Sequence, residues 1–446
     1  GDINNQGTIS FSTLNLNGSS AQNLSNSGTM TLTDLNLDNS SGITNNTNID
    51  ISGTVDLISG TFDADGGGSG DLTLLSSSTS TGGRIAEIST PANFTGEITV
   101  QRFINGPGAW RYIGIPVSGS DLSQLQATFP ITGNFSNASS SGMNNVTCSS
   151  CASVYIYNSS NQSYEEVGSG ASTSATALSN TVGYSMYSYL SGDFTYEVTG
   201  SPGKGSVLVP LATDGSTDWN LIPNPYPSPI DWDNVTTTNT TNTVYMTIPG
   251  TGSFTEYTKG DNFCTNCGSY DSNWRGEIAM GQSFWIETSG AASVTLTEAA
   301  KTDGATFLRT SKPQHPDDGK YVRVVLNNLS NGQKNDLVVI FRDNSTRGYD
   351  IGRDTKKLPN SSHLNFSSYT DSAGLHYASN SLPELVGYKS AEIIKLKMSN
   401  TPIGNYSIHF EELNRFIYNY VIILHDNYTN KSTKIKPTST YSFQVD

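Results

Sequence analysis

Apolar and polar positions alternate through the first hundred residues, and the alternation comes in copies. The segment TISFSTLNLN (residues 8–17) aligns without a gap on TMTLTDLNLD (residues 29–38), 21 residues further on. Ile9/Met30, Phe11/Leu32, Leu14/Leu35 and Leu16/Leu37 coincide, with Asn15/Asn36 between them. A looser third copy places Ile49, Ile51, Val55 and Leu57 in NIDISGTVDLISG. Alternation sends side chains to opposite faces of a strand, and Gly, Asn and Ser supply the corners. A repeat this short buries its apolar stripe only by stacking on the next copy. The pattern predicts a parallel β-helix-like solenoid over residues 1–104. Because the chain starts inside a repeat, further rungs and an export signal are expected before Gly1.

A second duplication follows. Trp110-Arg-Tyr-Ile113-Gly-Ile-Pro116 matches Trp219-Asn-Leu-Ile222-Pro-Asn-Pro225 in the spacing W-x-x-I-x-x-P. Val154-Tyr155 corresponds to Val244-Tyr245, and Gly183-Tyr-Ser-Met-Tyr187 to Gly281-Gln-Ser-Phe-Trp285. Short strands separated by turn residues predict tandem β-sandwich modules over 105–210 and 211–300, with one short helix at 121–126. Residues 301–319, which hold Pro313 and Pro316, read as a linker. From Lys320 the segments YVRVVL, DLVVIF, IIKLKM, YSIHF, YVIILH and YSFQV predict a C-terminal, jelly-roll-like β-sandwich over 320–446. The fold class is all-β.

Composition sharpens this. Gly, Ser, Thr and Asn dominate, yet 22 Tyr, 16 Phe and 5 Trp supply enough apolar surface for real cores. The net charge is −15, with the acidic excess in residues 1–300 and a mildly basic remainder that lacks a dense Lys/Arg cluster. Such a charge repels phosphate backbones, so nucleic acid is not an expected partner. No apolar run reaches the length that crosses a bilayer as a helix, so no membrane span is expected.

Four cysteines form two CxxC pairs, Cys148/Cys151 and Cys264/Cys267, which suits an oxidising, extracellular setting. Closure within each pair, cross-links tying the two modules, and a tetrahedral zinc or redox site are all compatible with the spacing. A structural disulfide role is the expectation, and no metal ligand is assigned. Among the tryptophans, Trp274 in the loop YDSNWRGE is the candidate exposed ring for stacking on a sugar, whereas PIDW and FWIE read as core. Asp63-Ala-Asp65-Gly66 and Asp343…Asp350…Asp354 faintly resemble calcium loops without the full ligand spacing. Turns stabilised by Asp and Gly are expected there, with a surface calcium allowed at the second; no other cofactor is expected. HExxH, GxSxG and phosphate-loop signatures are missing, the five histidines are scattered, and Glu165-Glu166 fall on opposite strand faces. A catalytic role is not expected.

EITVQRFI (97–104), WRYIGIPV, WNLIPNPYPSPIDW (219–232) and GQSFWIE (281–287), in that order, resemble a recurrent arrangement in cargo of the type IX secretion system of Bacteroidota. In that group solenoid repeats lead into such a region, and a C-terminal sandwich carries a loop like DNSTRGYDIGRDTKKL (343–358). The resemblance covers nearly the whole chain; Pro223 stands where the group more often has Gly. It implies an extracellular or outer-membrane-surface location, type IX translocon and shuttle proteins as export partners, and a non-catalytic role in adhesion or gliding motility. A glycan-binding module of a secreted polysaccharide-handling system, with surface glycans as ligands, is the alternative. It further implies a sorting domain beyond Asp446, and Asp371-Ser372-Ala373 fits the group's short O-glycosylation signal at Ser372.

Overall fold

The structure is a computed structural model. It describes the chain except for residues 79–81, 107, 140–151, 169, 214–217, 249–252, 262–263, 266, 268–273, 305–319, 351–352, 361–362, 370–373, 386–390, 412, 414–419 and 437–438. The described residues are nearly all β. They form two compact units, residues 1–240 with 277–309, and residues 241–276 with 310–446.

The first unit opens with parallel rungs whose register follows the aligned copies. Ile9, Phe11, Leu14 and Leu16 lie opposite Met30, Leu32, Leu35 and Leu37, which in turn lie opposite Ile49 and Ile51 and Val55 and Leu57. Leu72 and Leu74 continue the stack on Ile49 and Ile51. Met30, Leu32, Leu35, Leu37, Ile49, Ile51, Leu72 and Leu74 are all buried. Removing one such leucine from water contributes about 1.5–3 kcal/mol, and only the neighbouring rung provides the cover. Polar positions and aromatic rings stack along with the aliphatic ones. Asn36 Nδ2 donates to Asn15 Oδ1 at 2.8 Å, Asp34 Oδ1 accepts from Thr54 N at 2.8 Å, and Phe94 meets Phe62 edge-on at 5.3 Å. Asp65 serves as a turn residue: its carboxylate accepts from Gly67 N and Glu97 N, each at 2.9 Å, and the Glu97 bond leads in holding its pKa below the usual range.

Strand Ile98–Ile104 ends the stack. It runs parallel to Asp71–Leu74 on one side and antiparallel to Phe194–Pro202 on the other, from Ile98↔Gly200 to Ile104↔Phe194. The last strand of the first repeat thus belongs to the solenoid sheet, and one apolar core runs from the rungs through Ile113, Val117, Leu122, Phe129 and Met186. Helix Leu122–Gln126 lies over it, capped by Asp121, whose Oδ1 accepts from Ser123 N at 2.8 Å. The second repeat is fastened to the rungs by Glu298 and Lys301. Their 2.7 Å ion pair is shielded, Glu298 Oε2 accepts from Ile88 N at 2.9 Å, and Lys301 Nζ donates to Ala86 O at 3.2 Å.

In the second unit, Lys320–Asn328 pairs antiparallel with Lys334–Arg342 and with Gly404–Glu411, and Thr440–Val445 follows at the edge. His376–Pro383 adds parallel to Lys334–Arg342. One face of this sheet is apolar, with Val322, Val324, Leu326, Leu337, Val339 and Phe341 in its core. The other carries ions and is covered by the strand Ser253–Thr258 and the Cys264–Cys267 turn. Arg323 pairs with Asp336 and donates to Cys264 O from both terminal nitrogens at 3.1 Å. Arg342 pairs with Asp261 at 2.8 Å.

Candidate functional site

Four short strands of the first unit make one antiparallel sheet, in the order Trp110–Ile113, Tyr184–Tyr187, Val154–Asn158, Ser163–Glu166. Register sorts their side chains. Trp110 lies opposite Tyr187, Tyr112 and Tyr155 lie opposite Ser185, and Tyr157 lies opposite Tyr164, so these six aromatic residues share one face, while a seventh, Tyr184, lies opposite Ile113 and Ile156 on the other. Arg111, Ile113, Met186, Val154 and Ile156 fall on the other face by the same alternation, and Ile113, Val154 and Met186 are buried.

The aromatic face is continuous. Trp110 meets Tyr155 at 5.6 Å and Tyr187 at 5.3 Å; Tyr187 meets Tyr189 at 4.8 Å. Tyr164 meets Tyr155 at 6.3 Å and Tyr157 at 5.3 Å. Trp285, from the second repeat, meets Tyr157 at 4.6 Å and Tyr112 at 5.6 Å. It is buried, and its indole Nε1 has no hydrogen-bond partner among the described residues. Trp110 and Tyr164, at opposite ends of the face, are each 45% exposed. Tyr112 and Tyr164 share a hydroxyl hydrogen bond of 2.8 Å, and Tyr157 donates to Gln162 Oε1 at 3.2 Å.

Its charge is one-sided. Burial and then the Asp218 carboxylate push the Tyr157 phenol up, and burial and then Glu166 do the same to Tyr155. The phenols therefore stay neutral across the physiological range. The single cation of the four strands, Arg111, is on the opposite face, where it donates to Asn105 O at 3.0 Å. Half-exposed rings held edge-on or tilted against their neighbours present a stepped apolar surface with phenol hydroxyls among the rings. Exposed rings of such a surface fit the C–H face of a sugar ring, and the neighbouring Asp218 and Glu166 carboxylates disfavour a polyanion.

The residues singled out in the sequence lie elsewhere. Cys264 and Cys267 are joined to each other in a disulfide, closing the second CxxC on itself. Cys148, Cys151 and Ser372 lie outside the described residues. Trp274 is half-buried, its ring 5.9 Å from Tyr257. In the Asp343–Asp354 loop the Asp350 and Asp354 carboxylates are taken up by protein donors. Asp350 accepts from the Thr346 amide at 2.5 Å and from its hydroxyl at 2.8 Å. Buried Asp354 accepts from Ser381 N at 2.6 Å and Asp350 N at 2.7 Å. Among the described residues no group of three or more His, Cys, Asp or Glu could hold a metal ion, and no helix is long and apolar enough to cross a membrane.

Asp354 carries a pH dependence. Burial pushes its carboxyl from 3.8 up to about 6, against the pull of its two backbone donors. A folded pKa above the unfolded one means that the folded state holds the proton more tightly. This contribution is therefore present at low pH and is lost as pH rises from about 4 through about 6. Moving from pH 7 to pH 5 should stabilise the native chain relative to Asp354→Asn by about 1 kcal/mol. Urea midpoints at both pH values measure this, and a difference that does not change with pH would refute the assignment.

Residues 95–446 match the family model described as Domain of unknown function (DUF8693). No curated protein and no solved structure matches the chain.

Proposed function

The chain belongs to the DUF8693 family, and we propose that it is a non-catalytic, surface-displayed or secreted binding protein that adheres to neutral glycans through the Trp110–Tyr164 face. One observation carries this reading. Six aromatic side chains, with Ser185 and Glu166 between them, make up one face of a four-stranded sheet while the arginine beside them is buried on the other, so the strands present mainly rings where a soluble sheet ordinarily presents charge. The solenoid supports the display part of the reading, since stacked rungs make a stiff polar body that projects a binding face outward. The resemblance to type IX cargo supports export by that route and a role in adhesion or gliding motility.

The test is binding of the full chain to an array of neutral, uronate-containing and sulfated polysaccharides. Neutral glycans should be retained, and Trp110→Ala and Tyr164→Ala should each weaken binding about tenfold, the equivalent of about 1.4 kcal/mol. Trp274→Ala should leave it unchanged. Retention that survives both substitutions, or that is lost only with Trp274→Ala, would move the ligand away from this face.

A further inference from the structure

The polar layer of the second unit holds a Lys–Glu pair that an ordinary ion pair does not account for. Lys357 follows the short strand Thr355–Lys356, and Glu256 sits within Ser253–Thr258. Their side chains are 3% and 0% exposed. An ammonium has three protons to place, and a buried one needs short, well-aimed acceptors. Among the described residues the Lys357 ammonium reaches only Glu256 Oε1, at 3.5 Å. The carboxyl is already engaged on its far side, where Thr265 Oγ1 donates to Oε2 at 2.6 Å. Burial pushes the Glu256 carboxyl up, with Lys357 opposing and the nearby Asp336 carboxylate adding to the rise. A site that disfavours the Glu256 carboxylate, with a buried amine 3.5 Å away, favours the neutral amide the two can form.

We propose that Lys357 and Glu256 condense, without an enzyme, into an intramolecular isopeptide bond. Nζ passes one proton to Oε1, and its freed lone pair attacks Cδ. As the C–N bond forms, electrons move onto Oε2, where the Thr265 hydroxyl supports the developing charge. A second proton passes from Nζ to Oε1, the Cδ–Oε1 bond breaks, and water leaves while Oε2 returns to a carbonyl. One proton stays on the amide nitrogen, so the three ammonium protons are accounted for and no oxidant or reductant is needed. The link joins positions 101 residues apart, tying the covering strand to the sheet beneath it. A covalent tie across so long a loop restrains the unfolded chain strongly. That restraint suits a protein that must hold while its ligand is pulled.

The full chain, reduced and denatured, should weigh one water less than its sequence mass. Its digest should contain a branched peptide joining the Glu256 and Lys357 segments, with no tryptic cleavage after Lys357. Glu256→Ala and Lys357→Arg should each restore the full mass, and Thr265→Val should slow the loss of water in freshly made protein. The wild-type digest decides without any variant. Full mass with two separate linear peptides, or a branch between any other pair of residues, overturns the proposal.

Discussion

Gly203→Ala is expected to destabilise the native chain by about 3 kcal/mol, near the upper end for a forced overlap in a packed interior. Gly203 follows strand Phe194–Pro202, at the point where the matching prolines of the two W-x-x-I-x-x-P motifs converge. Its amide donates to Pro116 O at 2.9 Å. A Cβ on Gly203 would fall 1.9 Å from Pro225 O, 2.9 Å from Pro225 C and 3.3 Å from Pro116 O. All three atoms are backbone, so no rotamer change removes the overlap, and relief requires one repeat to move away from the other. Chemical denaturation of wild type and variant measures the loss. A change within about 0.5 kcal/mol, the range of inconsequential surface substitutions, would mean that the two repeats do not meet here.

Asn224→Ala should have a comparable effect, about 3–4 kcal/mol, for a different reason. Asn224 is fully buried. Its Nδ2 donates to Ser228 O at 2.8 Å, Ala279 O at 3.2 Å and Ile278 O at 3.3 Å. Its Oδ1 accepts from Tyr226 N at 3.0 Å. One amide thus meets four buried backbone groups, of which Ala279 O also accepts from Gln282 N at 3.3 Å, and each buried group left bare costs about 1–3 kcal/mol. Asn224→Asp separates hydrogen bonding from volume. It keeps the acceptor for Tyr226 but turns a carboxylate oxygen toward the three carbonyls, so it should be no better tolerated than alanine. An Asp variant as stable as wild type would show that filling space is the residue's whole role.

These two positions also mark what could be read from the chain. The motif around Asn224 stands out in the sequence, and the structure supplies its reason in a buried amide. The rungs are legible because each presents the same inward pattern as the last, so aligning copies fixes the register of Leu35 on Leu14 and of Val55 on Leu35. The partner of Phe194–Pro202 was not legible. Pairing is made by backbone amides that every residue carries, and alternation in Tyr196 and Val198 says which face is buried without saying which strand lies alongside.

The aromatic face was hidden for the opposite reason. Composition alone puts Trp110 inside and Arg111 outside, whereas the sheet does the reverse, with Arg111 buried and Trp110 half-exposed. Attention to tryptophan in loops leads instead to Trp274. The ionic layer of the second unit was equally concealed, since Glu256, Lys357, Arg323 and Asp336 read singly as solvated charges. Only the fold brings them under a covering strand.

The strand Ile98–Ile104 has a consequence for solubility. Parallel stacking is open-ended, because the outermost rung offers a row of free amides and carbonyls that can template another copy, in the same molecule or the next. On this side of the solenoid that row is consumed by a ribbon of opposite direction, which arrives from a hundred positions later, as the Thr99–Thr199 hydroxyl contact marks. Reversing strand direction at the last rung closes the stack to further parallel addition and guards against end-to-end polymerisation there.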